Sequence, residues 1–138
     1  MPTSHKNKTF ATFLAMLAGG VGAHRFYLRG SLDKIGLIHV ASLPIAGLVV
    51  GLAPQANVFY KLLPVVLSFL VGYLETLILG VMPDEKFDAA FNPASGRKSD
   101  TNWVIALLLV GTMVVGSTAM ILALSRLVAL IYTGGQDG

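Results

Sequence analysis

The sequence contains no cysteine, which excludes disulfides, thiolate nucleophiles and cysteine-ligated metals and leaves the redox compartment unmarked. Charge is scarce as well. Asp, Glu, Lys and Arg supply 12% of the 138 residues, about half the share in an ordinary soluble domain. The three histidines are well separated and form no metal-ligand motif, so neither a metal nor a cofactor is expected. There is no nucleophile elbow, phosphate-binding loop or metal-binding helix, and no pair of carboxylates placed for a cleft, so the chain does not read as an enzyme.

Hydrophobic residues fill the space that charge leaves. They make up 54% of the chain, and the mean hydropathy is +0.72, too apolar to clothe a water-soluble globule of this size. A net charge of +3 would suit nucleic acid only if the basic residues shared one face. They are scattered among short connections instead and read as topology signals.

Four apolar runs follow, Phe10–Ala23, Ile35–Ala53, Leu62–Met82 and Trp103–Ile131, against the roughly 20 helical residues that a bilayer core demands. The last three satisfy it. The first is short and reads as a thin span, a re-entrant hairpin or, with Val21 and Ala23 as cleavage-site residues, a signal peptide. The expected fold is an all-α integral membrane protein: a helical hairpin over 1–53, a third transmembrane helix over 54–82, a loop with a short interfacial helix over 83–101, and a fourth helix with a tail over 102–138. No internal repeat supports an inverted-repeat transporter.

Local residues set the expected boundaries. Ser31 is a candidate cap for the second helix, and Asp33 falls in its first turn, where an acid suits the helix dipole. Pro64 is placed in the first turn of the third helix and Pro44 inside the second. Thr101 or Asn102 caps the fourth. In the third loop Phe87 and Phe91 lie four apart, on one face of a helical turn with acids opposite, and 92–100 reads as linker.

Between the first two runs stands Gly19-Gly20-Val21-Gly22-Ala23-His24-Arg25-Phe26-Tyr27-Leu28-Arg29-Gly30. With Lys6, Lys8 and the apolar run before it, this stretch resembles the TM-two domain family of small membrane proteins, also called NINE proteins, over roughly residues 6–40. The resemblance implies a two-helix hairpin. It therefore favours a spanning first run and disfavours cleavage after Ala23, which would divide the motif. It makes His24, Arg25, Phe26 and Tyr27 candidate interaction residues at headgroup depth. It also implies an acid in an aromatic-rich helix, and Tyr73-Leu74-Glu75 is similar to that context. No activity comes with it.

Basic residues mark the cytoplasmic side. Arg25, Arg29 and Lys34 in the first loop, with Lys86, Arg97 and Lys98 in the third, outweigh Lys61 in the second. Lys6 and Lys8 fit this orientation if the first run re-enters, and oppose it if that run spans.

Small residues recur every fourth position: Ala11, Ala15, Gly19 and Ala23; Gly47 and Gly51; Ser68, Gly72, Thr76 and Gly80. Such stripes let helix backbones approach closely in lipid. Glu75 is the one acid inside an apolar run, and an ionisable group there demands a partner or a wet cavity. At 1.5 Å per residue it lies about 10 Å from one end of its helix, and His39 about 8 Å from the same side, so the two can meet, with Arg25 or Arg29 extending the pair. Arg126 is at the wrong depth and is expected at the outer interface.

These features point to a multi-pass protein of the bacterial inner membrane, an accessory or scaffold module whose partners are the lipid bilayer and other membrane helices, its own copies included. The alternative is an oligomeric proton-linked channel or transporter using Glu75 and His39.

Overall fold

The computed structural model describes residues 4–135. Within them the chain is all α-helical. Helix α1 is Lys8–Ala18, α2 Ala23–Arg29, α3 Lys34–Leu52, α4 Val58–Val81, α5 Asp84–Phe91 and α6 Trp103–Tyr132. Three of these, α3, α4 and α6, are long and apolar enough to cross a membrane, and a shorter apolar helix precedes them.

The first run is short and turns back. Helix α1, capped by Asn7, whose side chain accepts from Phe10 N at 2.9 Å, is 11 residues long, about 16 Å against a hydrocarbon core of about 30 Å. A 3₁₀ turn over Gly19–Val21 and Gly22 at φ +73° then reverse the chain into α2. The hairpin closes where it began. The Tyr27 hydroxyl accepts from Asn7 N at 2.8 Å, and the Tyr27 ring meets Phe10 edge-on, centroids 5.1 Å apart.

Glycine permits this reversal because the turn is driven between two other helices. A Cβ on Gly19 would stand 2.9 Å from Gly72 Cα, one on Gly20 would run into the Phe69 ring, and one on Gly22 would stand 2.9 Å from Gly36 Cα. Helices α1 and α2 thus form a hairpin that enters and leaves at one end and lies against α3 and α4, the geometry of the re-entrant reading and not of a spanning first run.

As a result Lys6 and Lys8 share an end with the 83–101 segment. Asn92 Oδ1 accepts from Lys6 N at 2.6 Å, and Asn92 Nδ2 donates to Lys6 O at 3.0 Å. The Lys8 ammonium, 3% exposed, donates to Met82 O at 2.5 Å, Asp84 Oδ1 at 2.8 Å and Thr101 Oγ1 at 2.7 Å. Three donors thus meet three acceptors, as a buried ammonium requires. All Lys and Arg residues except Lys61 and Arg126 lie at this basic end. Helix α3 leads away from it, α4 returns, and α6 leads away again to bring Gly135 beside the Tyr60 ring.

The structure revises several expected boundaries. Asp33, not Ser31, caps α3, accepting from Gly36 N at 2.7 Å. Asn102, not Thr101, caps α6, because Thr101 is committed to Asp84. Pro64 falls in the second turn of α4, since that helix starts at Val58. Helix α5 forms with Phe87 and Phe91 together, centroids 4.9 Å apart, yet Phe87 is fully buried against Ala11, Ala15, Leu28 and Leu79 and does not face lipid. Nor is 92–100 a loose linker: Asp88 accepts from Ser99 N at 2.7 Å and from Ser99 Oγ at 2.6 Å.

Small residues make the seams. Ala11, Ala15 and Gly19 are buried, as are Ser68, Gly72, Thr76 and Gly80, with Gly19 on Gly72 at backbone contact and Gly80 under Leu109 of α6. The α4 stripe thus serves two neighbours. Ala23 leaves the α1 stripe because the helix breaks before it and is only half-buried. Gly47 and Gly51 pack against nothing, since a Cβ on either would meet no atom within 4 Å. The packing face of α3 is instead Gly36, His39, Ser42 and Ala46, while Leu43, Leu48, Val110, Val114 and Ile121 lie exposed on α3 and α6, as on helices built to face lipid.

Candidate functional site

Glu75 sits six residues before the end of α4, about 9 Å from its basic end, facing inward beneath the re-entrant turn. Two helices aim three side chains at it. From α2, Arg25 donates Nε to Oε1 at 2.7 Å, and its Nη2 reaches the same oxygen. Also from α2, His24 Nε2 stands 2.7 Å from Oε2, and from α3 His39 Nε2 stands 3.2 Å from that oxygen. His24 is 2%, His39 4% and Glu75 9% exposed. Two consecutive residues of α2 can both serve because Glu75 lies between them, one carboxylate oxygen toward each.

Further contacts extend the cluster in both directions. Outward, Asp33 Oδ1 lies 3.6 Å from Arg25 Nη1, and Asp33 Oδ2 lies 4.0 Å from Arg29 Nε. Arg29 also lies over the Phe91 ring at 5.4 Å. Inward, His39 Nδ1 and Ser68 Oγ are 2.7 Å apart, and Ser68 Oγ donates to Gly20 O at 2.7 Å. The polar chain thus ties the 3₁₀ turn to α3 and α4.

Proton bookkeeping constrains this chain. Ser68 has one hydroxyl proton, and Gly20 O can only accept it, so Ser68 Oγ accepts from His39 Nδ1–H. A neutral His39 then turns the bare lone pair of Nε2 toward Glu75 Oε2, and two acceptors at 3.2 Å need a proton between them. His24 Nε2 faces the same oxygen, but neither imidazole aligns with it as a hydrogen-bond donor. His24 Nδ1 and Nε2, His39 Nε2 and Glu75 Oε2 are buried polar atoms without an aligned hydrogen-bond partner among the described residues. Beside them opens a cavity of about 140 Å³ lined by His24, Arg25, Arg29, Glu75, Met82 and Phe91, among others, roomy enough for water. The arrangement can hold and share a proton. Among the described residues no His, Asp and Glu group has the geometry of a metal site, and Arg25 already occupies one Glu75 oxygen.

No family model, curated protein or solved structure matches the chain. The site therefore stands on its own geometry.

The residues singled out in the sequence divide between this cluster and the seams. Glu75, His39, His24 and Arg25 come together, and Ser68 joins them as a hydrogen-bond partner as well as a small residue. Phe26 lies over Gly36, where a Cβ would come within 2.8 Å of its ring, and Tyr27 closes the hairpin. The four therefore face inward from a helix and not outward from a turn. Sequence reasoning missed His24 as the partner of Glu75, Asp33 as the counterion of Arg25, and the Lys8, Asp84 and Thr101 clasp. Asp33 carried a signal, being four residues from Arg29 at the start of a helix. Lys8 and Asp84 carried none.

Outside the long apolar helices, hydrogen bonds perturb two acids. The hydrogen bond from the Lys8 ammonium holds Asp84 below the ordinary carboxylate value, and the hydrogen bond from the Ser99 hydroxyl pulls Asp88 down to about 2.

Proposed function

We propose that the chain is a multi-pass accessory or scaffold module of the cytoplasmic membrane of bacteria, built on a TM-two-type re-entrant hairpin and acting on lipids and other membrane helices through its exposed apolar faces. One observation carries this reading: the Glu75 cluster closes on itself. Arg25 neutralises Glu75, Asp33 answers Arg25, and the hydrogen-bond chain ends on a backbone carbonyl, Gly20 O. Along α4 no charged residue separates Glu75 from Lys61, a distance of about 21 Å, whereas a conduit strings polar groups along its whole path. The cluster then acts as a clamp that locks the hairpin to α3 and α4.

Orientation supports the same reading. With Lys6 and Lys8 at the basic end, every short segment rich in Lys and Arg faces one way, and the positive-inside rule puts that end in the cytoplasm. The sequence resemblance to TM-two proteins over residues 6–40 agrees with a hairpin module. Cross-linking in native membranes followed by mass spectrometry tests the proposal, which expects cross-links from the exposed faces of α3 and α6 to other helices or to a second copy.

A second reading rests on the cavity beside Glu75 and the unaligned His24, His39 and Glu75 atoms, which would suit a proton-linked channel or transporter. Proton flux in liposomes under a pH gradient decides between them. Flux lost in Glu75→Gln favours transport, and no flux above empty liposomes favours the clamp.

A further inference from the structure

Ser68 has one hydroxyl proton and two neighbours that can take it. It donates to Gly20 O at 2.7 Å, and its oxygen lies 2.7 Å from His39 Nδ1. As long as the hydroxyl points at Gly20, Nδ1 has to carry a hydrogen of its own. On the other edge of the same ring Nε2 stands 3.2 Å from Glu75 Oε2, an oxygen of the carboxylate that Arg25 neutralises. A bare Nε2 there would set lone pair against lone pair around a ring only 4% exposed, where unmet polar atoms are costly. Both edges call for a proton. The imidazolium supplies two.

A neutral ring satisfies one edge only. When its hydrogen stays on Nε2, facing the carboxylate, Nδ1 becomes an acceptor and the Ser68 hydroxyl turns from Gly20 O to Nδ1. Gly20 O then loses the donor that ties the 3₁₀ turn to α4, and the turn keeps only its packing, Gly19 on Gly72 and Gly20 on the Phe69 ring. We propose that His39 is a proton-operated latch on the hairpin turn: the imidazolium leaves the Ser68 hydroxyl on Gly20 O, and loss of one proton to water moves that hydroxyl to His39 Nδ1 and releases the turn. The cavity beside Glu75 has room for the water that takes the proton. Of the elements packed against α3, α4 brings Glu75 toward His39, α2 brings Arg25 and also His24, its ring 6.4 Å from that of His39, and the 3₁₀ turn brings no titratable side chain. Asp33, at the cap of α3, faces Arg25. His24 titrates in the same range, but it is His39 that reaches Ser68. The latch refines the clamp reading of the cluster and rests on it.

The test places the full chain, labelled with carbon-13 at glycine carbonyls and nitrogen-15 at valine, in phosphatidylglycerol vesicles and follows it by solid-state NMR. Two Gly-Val pairs report, Gly20-Val21 and, as an internal reference, Gly80-Val81. As pH rises from about 5 to about 8, the range in which histidine changes charge, the Gly20 carbonyl signal moves upfield, as a carbonyl does on losing its donor, and the Gly80 signal stays in place. Ser68→Ala, with no hydroxyl to move, holds the Gly20 signal at its upfield position throughout, and His39→Gln, with no proton to lose, abolishes the step. A wild-type Gly20 signal that does not move overturns the latch without any variant. A step that survives in either variant overturns it too, because the titrating group is then His24 or the lipid. Stability lost in Glu75→Leu together with an immobile Gly20 signal keeps the clamp and discards the latch, whereas unchanged stability in Glu75→Leu discards the clamp itself.

Discussion

Replacing Glu75 with leucine removes the one carboxylate on which three α2 and α3 side chains converge. The leucine fills similar volume, so the cost is electrostatic. Arg25 keeps its charge with its side chain 18% exposed, and Asp33 at 3.6 Å is too distant to replace the pair Glu75 provided. His24 and His39 lose the oxygen they share. Breaking a buried ion pair from one side costs about 3–5 kcal/mol when the remaining charge is fully desolvated, and partial exposure of Arg25 places the expected loss near the lower figure, about 3 kcal/mol. Unfolding in mixed micelles of increasing denaturing detergent measures it. Glu75→Gln, which keeps an acceptor for Arg25, should lose less than half as much. Combining Glu75→Leu with Arg25→Leu should recover much of the loss, because the stranded charge leaves with its partner. A Glu75→Leu protein within 0.5 kcal/mol of wild type, taking about 0.5 as the spread of an ordinary surface change, would refute the clamp.

Gly72→Ala should destabilise by about 1–3 kcal/mol through overpacking, since its Cβ would stand 2.6 Å from Gly19 C; Gly47→Ala, meeting nothing within 4 Å, should be neutral or gain up to about 1 kcal/mol of helix propensity. Both are read in the same micelle assay, and equal effects would remove the seam. Asp84 and Asp88 have folded-state pKa values below their ordinary 3.8, Asp88 at about 2, so their contribution is present above the ordinary value and lost as pH falls through the folded one. Amide exchange of 95–101 should therefore stay protected at pH 5 and accelerate as pH drops from about 4 to about 2, with Asp88→Asn flattening the profile. A profile unchanged by that substitution would show that the Asp88 and Ser99 contact does not hold the segment.

Hydropathy and length made α3, α4 and α6 legible, because a bilayer sets one length scale for every span. Level depth on antiparallel neighbours brought His39 and Glu75 into one frame before any coordinates, and the structure sets them 3.2 Å apart. The reversal of the first run was not legible in the same way. A short apolar run reads alike whether it crosses or bends, and what bends it is the fit of Gly19, Gly20 and Gly22 against Gly72, Phe69 and Gly36, all remote in sequence. Periodicity likewise cannot distinguish the Gly19 and Gly72 seam from Gly47 and Gly51, which have the same spacing and open space in front of them. The Lys8 clasp joins residues 76 and 93 positions apart, and nothing local announces such a pairing.

The chain has no native cysteine, so single cysteines report side without background. Introduced at Ser4, Ser31, Ala94 and Gln55 and probed in intact spheroplasts with a membrane-impermeant thiol reagent, they test the re-entrant hairpin directly. The account predicts that Gln55 reacts from outside while Ser4, Ser31 and Ala94 are all protected until lysis, because α1 and α2 enter and leave at the same end. Labelling of Ser4 from the Gln55 side, with Ser31 still protected, would mean that the first run crosses the membrane, and would contradict it.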